Sequence, residues 1–483
     1  MSFFVRFITV FLFCSLPSSI KALGQTVVDV SINDIIGVLA KDNKYEIKEV
    51  VDLEGNNLII PKDCILFFNG GKITNGTVVF SNTKLEGDIC VEGGIKGTIA
   101  NGEINASWFG LKAGSKEDQT KTLQSIIDLY QNNVSHNSWD INLLNPEPAI
   151  FIPSGRYYVG AIKLRSYVTI KGAGRGSSEL RGVTFYANGQ FNFSIENLSL
   201  VGNIGASKAT DYNLDNTSHS SAFILRDCAR LIFRNVSIKN YNVAFDNYNT
   251  YLVDLYSCFI SYCNVCYLND GKGGGYGGHA VRWYGGEMCE SKYGFVQKNG
   301  NGVLLNGATI EACQFGIDFI YPVSFTVDAC YFENNNYDIY GTVVHVNILN
   351  NFFSETGKVK GNAYIYAPTA IGFTIIQGNK FGKPIFDNPH IMIDDKTQVY
   401  GNITIGQNDI VHGGRIPVSE RLLSSIVEKG TNTYQTYLPD GKSMLMGQTI
   451  IYKEPSTGKF FLVTRDTGGN LLSIPFEKMA DRK

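Results

Sequence analysis

The stretch VLLNGATIEACQFGIDF (residues 303–319) decides the fold, because its apolar residues follow neither a strand period nor a helix period. The same pattern recurs at a period of about 22 residues, earlier in VRWYGGEMCESKYGF (281–295) and later in FTVDACYFENNNYDI (325–339). Two earlier copies, LIFRNVSIKNYNVAF (231–245) and VDLYSCFISYCNVCY (253–267), align after one longer step that crosses a Gly-rich insertion. The chain therefore contains an internal repeat of one strand-rich unit.

Five columns of this repeat are apolar. Counted from the first position of each row, they are Leu231, Val253, Val281, Val303 and Phe325; Phe233, Leu255, Trp283, Leu305 and Val327; Val236, Cys258, Gly286, Ala308 and Cys330; Ile238, Ile260, Met288, Ile310 and Phe332; and Val243, Val265, Tyr293, Phe315 and Tyr337. All but Gly286 are apolar, whereas the apolar content of 44% predicts only about 11 of the 25.

The repeat length fits one turn of a coil made of short strands joined by bends. Alternate side chains of a strand face inward, and each bend resets that alternation, which explains the irregular spacing. One turn cannot bury its own apolar edge, so turns stack at about 4.8 Å and share a core. The pattern predicts a parallel β-helix, and residues 303–319 should direct five side chains inward: Val303, Leu305, Ala308, Ile310 and Phe315.

Composition supports a turn-rich β protein and gives no sign of a charged partner. The 483 residues include 51 glycines, 13 prolines, 30 phenylalanines and 26 tyrosines, a mixture that suits strands and turns better than helices or disorder. The net charge of −2 gives no reason to expect binding to nucleic acid or to an anionic membrane.

The segment 1–22 has the layout of a secretory signal peptide. A positive charge at Arg6 precedes the apolar run 7–16, and small residues lead to a cleavage site near Ala22. The apolar run is too short to span a membrane. The sequence therefore predicts a secreted or periplasmic protein. Nine cysteines remain after cleavage, and an odd number without metal-binding spacing favours small buried residues over disulfides or a metal site.

The rest of the chain divides into three predicted parts. Residues 23–104 form an N-terminal β extension, 105–415 the β-helix, and 416–483 a small C-terminal module that contains a hairpin. A helix is predicted within 108–130, where Leu123, Ile126, Ile127 and Tyr130 share one face and Ser115 with Asp118 forms a capping box. This helix should cover the open end of the apolar core.

The region around this helix resembles a known superfamily. The motifs are WFGLKAG (108–114), LQSIID (123–128) after Gln119, IFIPSGRYYV (150–159) and VTIKGAG (168–174). They resemble the pectate-lyase-like superfamily of right-handed parallel β-helix proteins, which includes polygalacturonase-related enzymes and phage tailspikes. KEDQT (116–120) replaces the usual pair of aspartates, which are structural in the superfamily. The resemblance implies an all-β, right-handed parallel β-helix with an N-terminal capping helix, of a secreted bacterial type that processes polysaccharides.

The outward columns of one strand suggest where a ligand binds. They contain Arg234, Tyr256, Tyr284, Asn306 and Asp328 in one column, and Ile232, Asp254, Arg282, Leu304 and Thr326 in the other. Aromatic rings can stack on sugars and arginine can hold a carboxylate, so this strip suits an extended polysaccharide, acidic or neutral. Arg234, Tyr256, Asn306 and Asp328 are the predicted substrate-binding residues. The alternative is an ordinary solvated face with an Asp254–Arg282 ion pair.

Two reactions suit the catalytic candidates. In a lyase, Arg282 and Tyr284 would supply the base and neutralise a uronate, with Asp254 orienting Arg282 or holding calcium. In a hydrolase, Asp254 and Glu287 would form the carboxyl pair, with Asp328 in reserve.

Glu311 lies below Glu333 in the next predicted turn. Two carboxylates this close repel, so one pKa should rise unless a cation bridges them, and calcium is the only cofactor that the residues leave open. The sequence favours an exported enzyme that cleaves a polysaccharide, either by elimination as a lyase or by hydrolysis. The alternative is a β-helix that binds glycans without catalysis, as an adhesin or a phage tailspike does.

Overall fold

The computed structural model is built almost entirely of strands. It describes residues 20–22, 41, 44–132, 148–203, 220–271, 277–321, 323–354, 363–371, 374–382, 391–392, 398–400, 403–405, 409–410, 449–453, 456–457, 459–465 and 470–475. The chain divides into two compact units. The first contains Met1–Pro153 and Val168–Ile170, and the second contains Ser154–Tyr167 and Lys171–Lys483.

The second unit is a stack of turns with three faces, and each face is a sheet of parallel strands. Face 1 contains Ser194–Glu196, Ala229–Arg234, Tyr251–Tyr256, Val281–Tyr284, Asn301–Asn306, Val323–Asp328, Val346–Leu349, Thr374–Gln377 and Ile403–Ile405. Face 2 contains Gly155–Tyr158, Ser178–Arg181, Ser199–Val201, Ser237–Lys239, Phe259–Ser261, Glu287–Cys289, Thr309–Glu311, Tyr331–Glu333, Phe352–Phe353, Lys380–Phe381 and Asp409–Ile410. Face 3 contains Ala161–Lys163, Thr184–Asn188, Ser221–Arg226, Val243–Tyr248, Val265–Asp270, Tyr293–Gln297, Phe315–Phe319, Tyr337–Val344, Ile365–Ile371, Ile391–Met392 and Gln398–Tyr400.

Strand pairing confirms the repeat and its one longer step. On face 2 the strands pair in register through Ile238, Ile260, Met288, Ile310 and Phe332, each at most 1% exposed. The longer step across the Gly-rich insertion is also confirmed, since Val253 pairs with Val281. The chain is a parallel β-helix. Crossover connections between parallel strands are almost always right-handed, which gives the coil the predicted hand.

Stacked aromatic rings fill the interior behind face 3. Phe223, Phe245, Tyr267 and Phe295 form a ladder whose ring centroids are 4.9, 5.5 and 4.9 Å apart. Trp283 of face 1 meets Tyr267 edge-on at 6.2 Å and is fully buried. These contacts bind neighbouring turns to one another and the two faces across the core.

A ladder of buried amides runs beside the aromatic ladder. Asn247 Nδ2 donates to Asn269 Oδ1 at 2.8 Å, and Asn269 Nδ2 donates to Gln297 Oε1 at 2.9 Å. All three side chains have no exposed surface. Because a slip of one residue would leave these amides unpaired in the core, the ladder fixes the register of the turns.

One predicted inward residue faces outward. Phe315 is half-buried and stacks at 5.1 Å on Tyr293 and at 5.4 Å on Tyr337. Its neighbour Gly316 points toward the core, where an added Cβ would lie 3.1 Å from Ile310 Cγ2. Residues 316 and 317 are both buried, so inward and outward side chains do not alternate at the start of this strand.

Residues in the left-handed conformation mark the bends. Between faces 1 and 2 they include Asn235, Ser257, Gly285, Gly307, Ala329 and Asn350, and between faces 2 and 3 they include Asn240, Tyr262, Glu290, Ala312 and Asn334. Asparagine, which tolerates this conformation better than most residues, occupies four of these positions. The other non-glycine residues hold a conformation that is costly for them.

Replacing Ala312 with asparagine is expected to stabilise the protein. Ala312 is exposed with a φ of 50°, and asparagine tolerates this conformation better than alanine does. We expect a gain of about 0.5–1 kcal/mol in the free energy of unfolding, measured by urea denaturation. The matched control is Ala161→Asn, on an exposed strand residue. An equal effect of the two substitutions would contradict this account.

The first unit contains the helix and further strands. The strands are Ile20–Ala22, Lys44–Ile47, Val50–Asp52, Asn57–Ile59, Ile65–Phe68, Lys72–Gly87, Val91–Ile99, Glu103–Asn105 and Ala149–Ile152, with 3-10 helices at Ala106–Phe109 and Asp128–Asn132. Strand pairs are parallel except that Ile20–Ala22 lies antiparallel to Lys44–Ile47. The strand Thr169–Gly172 lies at the division of the chain into units.

The predicted helix is present but shorter than its sequence pattern, and its predicted cap is wrong. It spans Thr120–Ile127 and buries Leu123, Ile126 and Ile127. The Ser115 hydroxyl accepts from the backbone N–H of Glu117, and Asp118 accepts from the N–H of Thr120. The two side chains therefore form separate local turns before the helix and do not form a capping box.

The C-terminal hairpin is confirmed and has a third strand. Thr449–Lys453, Phe460–Arg465 and Leu471–Pro475 pair antiparallel. Most of the predicted signal peptide lies outside the described residues.

The described cysteines carry no disulfide, as expected. All nine are free, and seven are buried. Within the described ranges no helix is long and apolar enough to cross a membrane.

Candidate functional site

The strip predicted on face 1 is assembled in the structure. Arg234, Tyr256, Tyr284, Asn306 and Asp328 occupy consecutive strands in register. Asp254 and Arg282 pair in the neighbouring outward column. Seven of the eight predicted site residues thus share one surface, and Glu287 is the exception.

Asp254 and Arg282 form a two-point ion pair. Arg282 Nε lies 2.6 Å from Asp254 Oδ1, and Nη2 donates to Oδ2 at 3.1 Å. The carboxylate side chain is 18% exposed and the arginine side chain 39%. This geometry neutralises the guanidinium and occupies one of its donors, so Arg282 is poorly placed to neutralise a uronate or to take a proton.

The two tyrosines of the strip cover each other's faces. The rings of Tyr256 and Tyr284 lie 5.2 Å apart at 12°, and the Arg234 guanidinium lies 5.2 Å from the centre of the Tyr256 ring. Neighbours therefore occupy both faces of Tyr256. This arrangement leaves ring edges and hydroxyl groups as the main surface for a sugar, and it limits stacking to the outer face of Tyr284.

The far end of the strip is a network of amides around a carboxylate. Asn306 Nδ2 donates to Asp328 Oδ2 at 3.2 Å, and Asn350 Nδ2 donates to Asp328 Oδ1 at 3.0 Å. Both oxygens of Asp328 thus accept hydrogen bonds from neighbouring turns. The arrangement suits a structural role for Asp328 more than a reserve role in catalysis.

Glu287 lies on face 2, beyond a bend that separates it from the strip. Gly285 and Gly286 form this bend, and a Cβ on Gly286 would lie 2.1 Å from the Cys258 carbonyl oxygen. Glu287 pairs with Phe259 in the previous turn, whereas Asp254 lies on face 1. The structure does not bring Asp254 and Glu287 together as a carboxyl pair.

Glu287 has a different acidic neighbour. The carboxylates of Glu287 and Glu311 and the Cys289 sulfur have ligand atoms that all lie within 4.8 Å of one another. Glu333 follows in the next turn, in register with Glu311. We call Glu287, Cys289, Glu311 and Glu333 the acidic cluster of face 2.

The electrostatics of this cluster raise the pKa of Glu311. Burial raises the pKa of Glu311, and the charges of Glu287 and Glu333 raise it further. The sequence predicts that one pKa of the Glu311–Glu333 pair rises; the raised pKa belongs to Glu311, and the charge of Glu287 has a larger effect on it than that of Glu333. Burial also raises the pKa of the Cys289 thiol, and a hydrogen-bond interaction with Glu287 adds to that rise. Glu311 therefore holds its proton to higher pH than an ordinary carboxyl does.

The acidic cluster is a poor match for calcium. Calcium takes six to eight oxygen ligands at about 2.3–2.6 Å. Here two glutamates share the group with a thiol, which is a weak donor to a hard cation.

Aromatic side chains flank the acidic cluster on the same face. Phe259 lies one turn before Glu287, and Tyr331 lies one turn after Thr309. Tyr331 Oη donates to Glu333 Oε2 at 3.0 Å, and its ring is tilted at 44° to that of Phe352. The centre of face 2 therefore combines carboxyl groups with rings on both sides, which is the combination expected of a sugar-processing surface.

Sequence reasoning identifies only part of this surface. It singles out Glu287 and Glu311 separately, and it misses Cys289, Phe259 and Tyr331. The signal is present one position to each side of the Ile310 column, where the outward residues of face 2 must lie. Those two columns mix acids and rings as strongly as the strip on face 1.

Comparisons with known proteins give structural similarities only. The sequence matches no protein-family model and no curated protein. The mannuronan C-5 epimerase AlgE4 A-module of Azotobacter vinelandii is 15% identical with a TM-score of 0.43, over 63% of this chain and 95% of that chain. DFA-IIIase of Arthrobacter chlorophenolicus is 11% identical with a TM-score of 0.45, over 65% and 100%.

A third similar structure is PfbA, a surface adhesin of Streptococcus pneumoniae. It is 13% identical with a TM-score of 0.38, over 64% of this chain and 78% of that chain. The fold assignment itself rests on the parallel strand pairing described above. At the level of the fold, the resemblance to pectate-lyase-like β-helix proteins is confirmed.

Proposed function

We propose that this protein is an exported enzyme that hydrolyses a polysaccharide bound along face 2. The observation that carries the proposal is the close pair Glu287 and Glu311, whose ligand oxygens lie within 4.8 Å of each other. The raised pKa of Glu311 supports different roles for the two carboxyl groups. A glycoside hydrolase uses two neighbouring carboxyl groups, one of which has a raised pKa and acts as the acid.

The geometry gives each glutamate a role. Protonated Glu311 would donate its proton to the glycosidic oxygen while the bond from that oxygen to the anomeric carbon breaks. Ionised Glu287 would attack the anomeric carbon and form a covalent sugar–enzyme ester, which water then hydrolyses as Glu311 takes up a proton. Retaining enzymes have carboxyl groups about 5–5.5 Å apart, whereas inverting enzymes need a wider gap for water. The ligand oxygens of this pair lie within 4.8 Å, which leaves less room than an inverting enzyme needs, so we propose that the anomeric configuration is retained.

Hydrolysis is favoured over the lyase reaction considered from the sequence. The lyase reaction relied on Arg282 and Tyr284, but Asp254 binds Arg282 and the ring of Tyr284 packs on Tyr256. The strip on face 1 is then a rigid polar surface beside the reaction site. Its tyrosine hydroxyls and the exposed Arg234 can contact the sugar chain where it extends past face 2.

The test is to incubate the mature protein with neutral and acidic polysaccharides and measure new reducing ends together with the absorbance of unsaturated sugars in the ultraviolet. New reducing ends without this absorbance are expected, since hydrolysis leaves no unsaturated sugar. An increase in the absorbance would support elimination and overturn the hydrolase proposal. Binding to a polysaccharide without any cleavage would favour the glycan-binding alternative.

The substitution Glu333→Gln should lower the pKa of Glu311. Glu333 contributes to the raised pKa by charge repulsion, and glutamine removes this charge while it keeps an acceptor for Tyr331. A general acid works only while protonated, so the basic limb of the pH–rate profile should move to lower pH. Carbon-13 NMR titration of the Glu311 carboxyl measures the shift even without substrate. An unchanged titration would contradict this electrostatic account.

A further inference from the structure

Arg175 is held flat against the outer surface of face 2. Its guanidinium carbon lies 3.3 Å from the centre of the Phe259 ring. Phe259 pairs in register with Glu287, so the residue whose ring Arg175 covers lies one strand spacing, about 4.8 Å, before the start of the acidic cluster. The arginine belongs to the same surface as the proposed reaction site.

The turn that carries Arg175 is rigid. The Gly174 carbonyl oxygen accepts from the backbone N–H groups of Ser177 and Ser178 at 2.9 and 3.1 Å. The N–H of Gly176 donates to Ser199 Oγ at 2.9 Å, and the N–H of Ala173 donates to Ser178 Oγ at 2.9 Å. With the turn fixed at one end and the guanidinium stacked at the other, the side chain is ordered before any ligand binds.

The donors of Arg175 have no partner in the part of the chain that the structure describes. Among the described residues it forms no hydrogen bond or ion pair, and its side chain is exposed. Two other arginines of face 2 differ in this respect. Arg156 and Arg181 are both bound by Glu179, at 2.8 and 2.6 Å. Stacking on a ring leaves the N–H edge of a guanidinium available, and that planar edge matches a carboxylate or sulfate group.

The position of Arg175 also separates an anion from the acidic cluster. An acidic substituent directly over Glu287 and Glu311 would be repelled by them. A substituent on the adjacent sugar would reach the guanidinium and avoid that repulsion. Phe259 would support the cation from below.

We propose that Arg175 is a specificity-determining residue, which binds a carboxylate or sulfate group on the sugar next to the one that is cleaved. This inference rests on the proposed function for the location of the sugar chain. It restricts the substrate to polysaccharides that carry an acidic group on the sugar next to the one that is cleaved. The acidic cluster would then act on a sugar that carries no acidic group.

The test uses the Glu287→Gln protein, so that binding is measured without cleavage. Affinity electrophoresis in gels containing polygalacturonate, alginate, chondroitin sulfate or neutral hydroxyethylcellulose compares retardation for each polymer. At least one acidic polymer should retard the protein, and Arg175→Ala should weaken that binding at least about tenfold, which corresponds to about 1.4 kcal/mol. Arg175→Lys should recover only part of the loss, because lysine lacks the planar fork.

The matched control is Lys239→Ala, which removes one exposed positive charge from the same face. It should change retardation by less than about twofold, as expected for an unspecific surface charge. Equal losses for Arg175→Ala and Lys239→Ala would overturn the proposal, as would retardation by hydroxyethylcellulose alone or by no polymer. Failure of hydrolysis in the polysaccharide assay would leave this binding result intact, so the two proposals can fail separately.

Discussion

Glu287→Gln is expected to lower polysaccharide hydrolysis at least about 1,000-fold, a loss of about 4 kcal/mol of transition-state stabilisation. Glutamine keeps the size and shape of the side chain but cannot carry the negative charge that attacks the anomeric carbon. The amide also no longer repels the ionised form of Glu311, so the pKa of Glu311 should fall. Substrate binding should change little, because the rings of Phe259 and Tyr331 remain in place.

The measurement is the initial rate of reducing-end release on whichever polysaccharide the wild-type protein cleaves. The assay is repeated with added azide, because this small anion can enter the space left by the missing carboxylate and attack the sugar in its place. Partial recovery of the rate with formation of a glycosyl azide is expected for a nucleophile. The control Glu117→Gln alters an exposed carboxylate of the first unit and should retain full activity. Retention of full activity by Glu287→Gln would remove Glu287 from the mechanism.

Trp283→Ala is expected to cost about 3–5 kcal/mol of stability. Trp283 is fully buried, packs edge-on against Tyr267, and donates from Nε1 to the Gly285 carbonyl oxygen at 2.6 Å. Alanine would leave a cavity between the inner sides of faces 1 and 3 and would remove the partner of a carbonyl at the bend. The bend leads directly to Glu287, so activity should fall as well.

Urea denaturation followed by far-ultraviolet circular dichroism measures this loss. A coil of repeated turns can unfold in segments, so a first transition at lower urea concentration is the expected form of the change. The control Ile232→Ala removes an apolar side chain from the outer side of face 1, where Ile232 is 36% exposed. It should cost less than about 1 kcal/mol. Similar losses for the two variants would mean that the interior ladder contributes little.

The sequence was enough to predict the coil, because the spacing of the apolar residues in each repeat indicates its short strands and bends. The inward columns had to stay apolar in every turn, and the register through Ile310 followed from them without any further information. The position of Phe315 did not follow, because alternation alone cannot reveal two consecutive inward residues. The capping box at Ser115 failed for a related reason, since short polar side chains satisfy local turns as readily as helix ends.

The candidate site was harder to predict than the fold. Columns show which residues share a face, but they do not show which side chains bind each other. Arg282 looked like a catalytic group and is held by Asp254, while Tyr256 looked like a platform for a sugar and is covered on both sides. Glu311 looked like half of a surface pair and lies beside Glu287. Each difference arose from side-chain contacts across turns.

The amide ladder of Asn247, Asn269 and Gln297 has a consequence for how such a molecule can grow. Each rung joins only the turn before and the turn after, so a duplicated repeat would bring its own rung and continue the series. A partial duplication would leave one amide facing the wrong side chain inside the core. Lengthening by whole turns is therefore tolerated and lengthening by fragments is not. Gene duplication in complete repeats would extend the outer faces in fixed steps while every existing side chain keeps its neighbours.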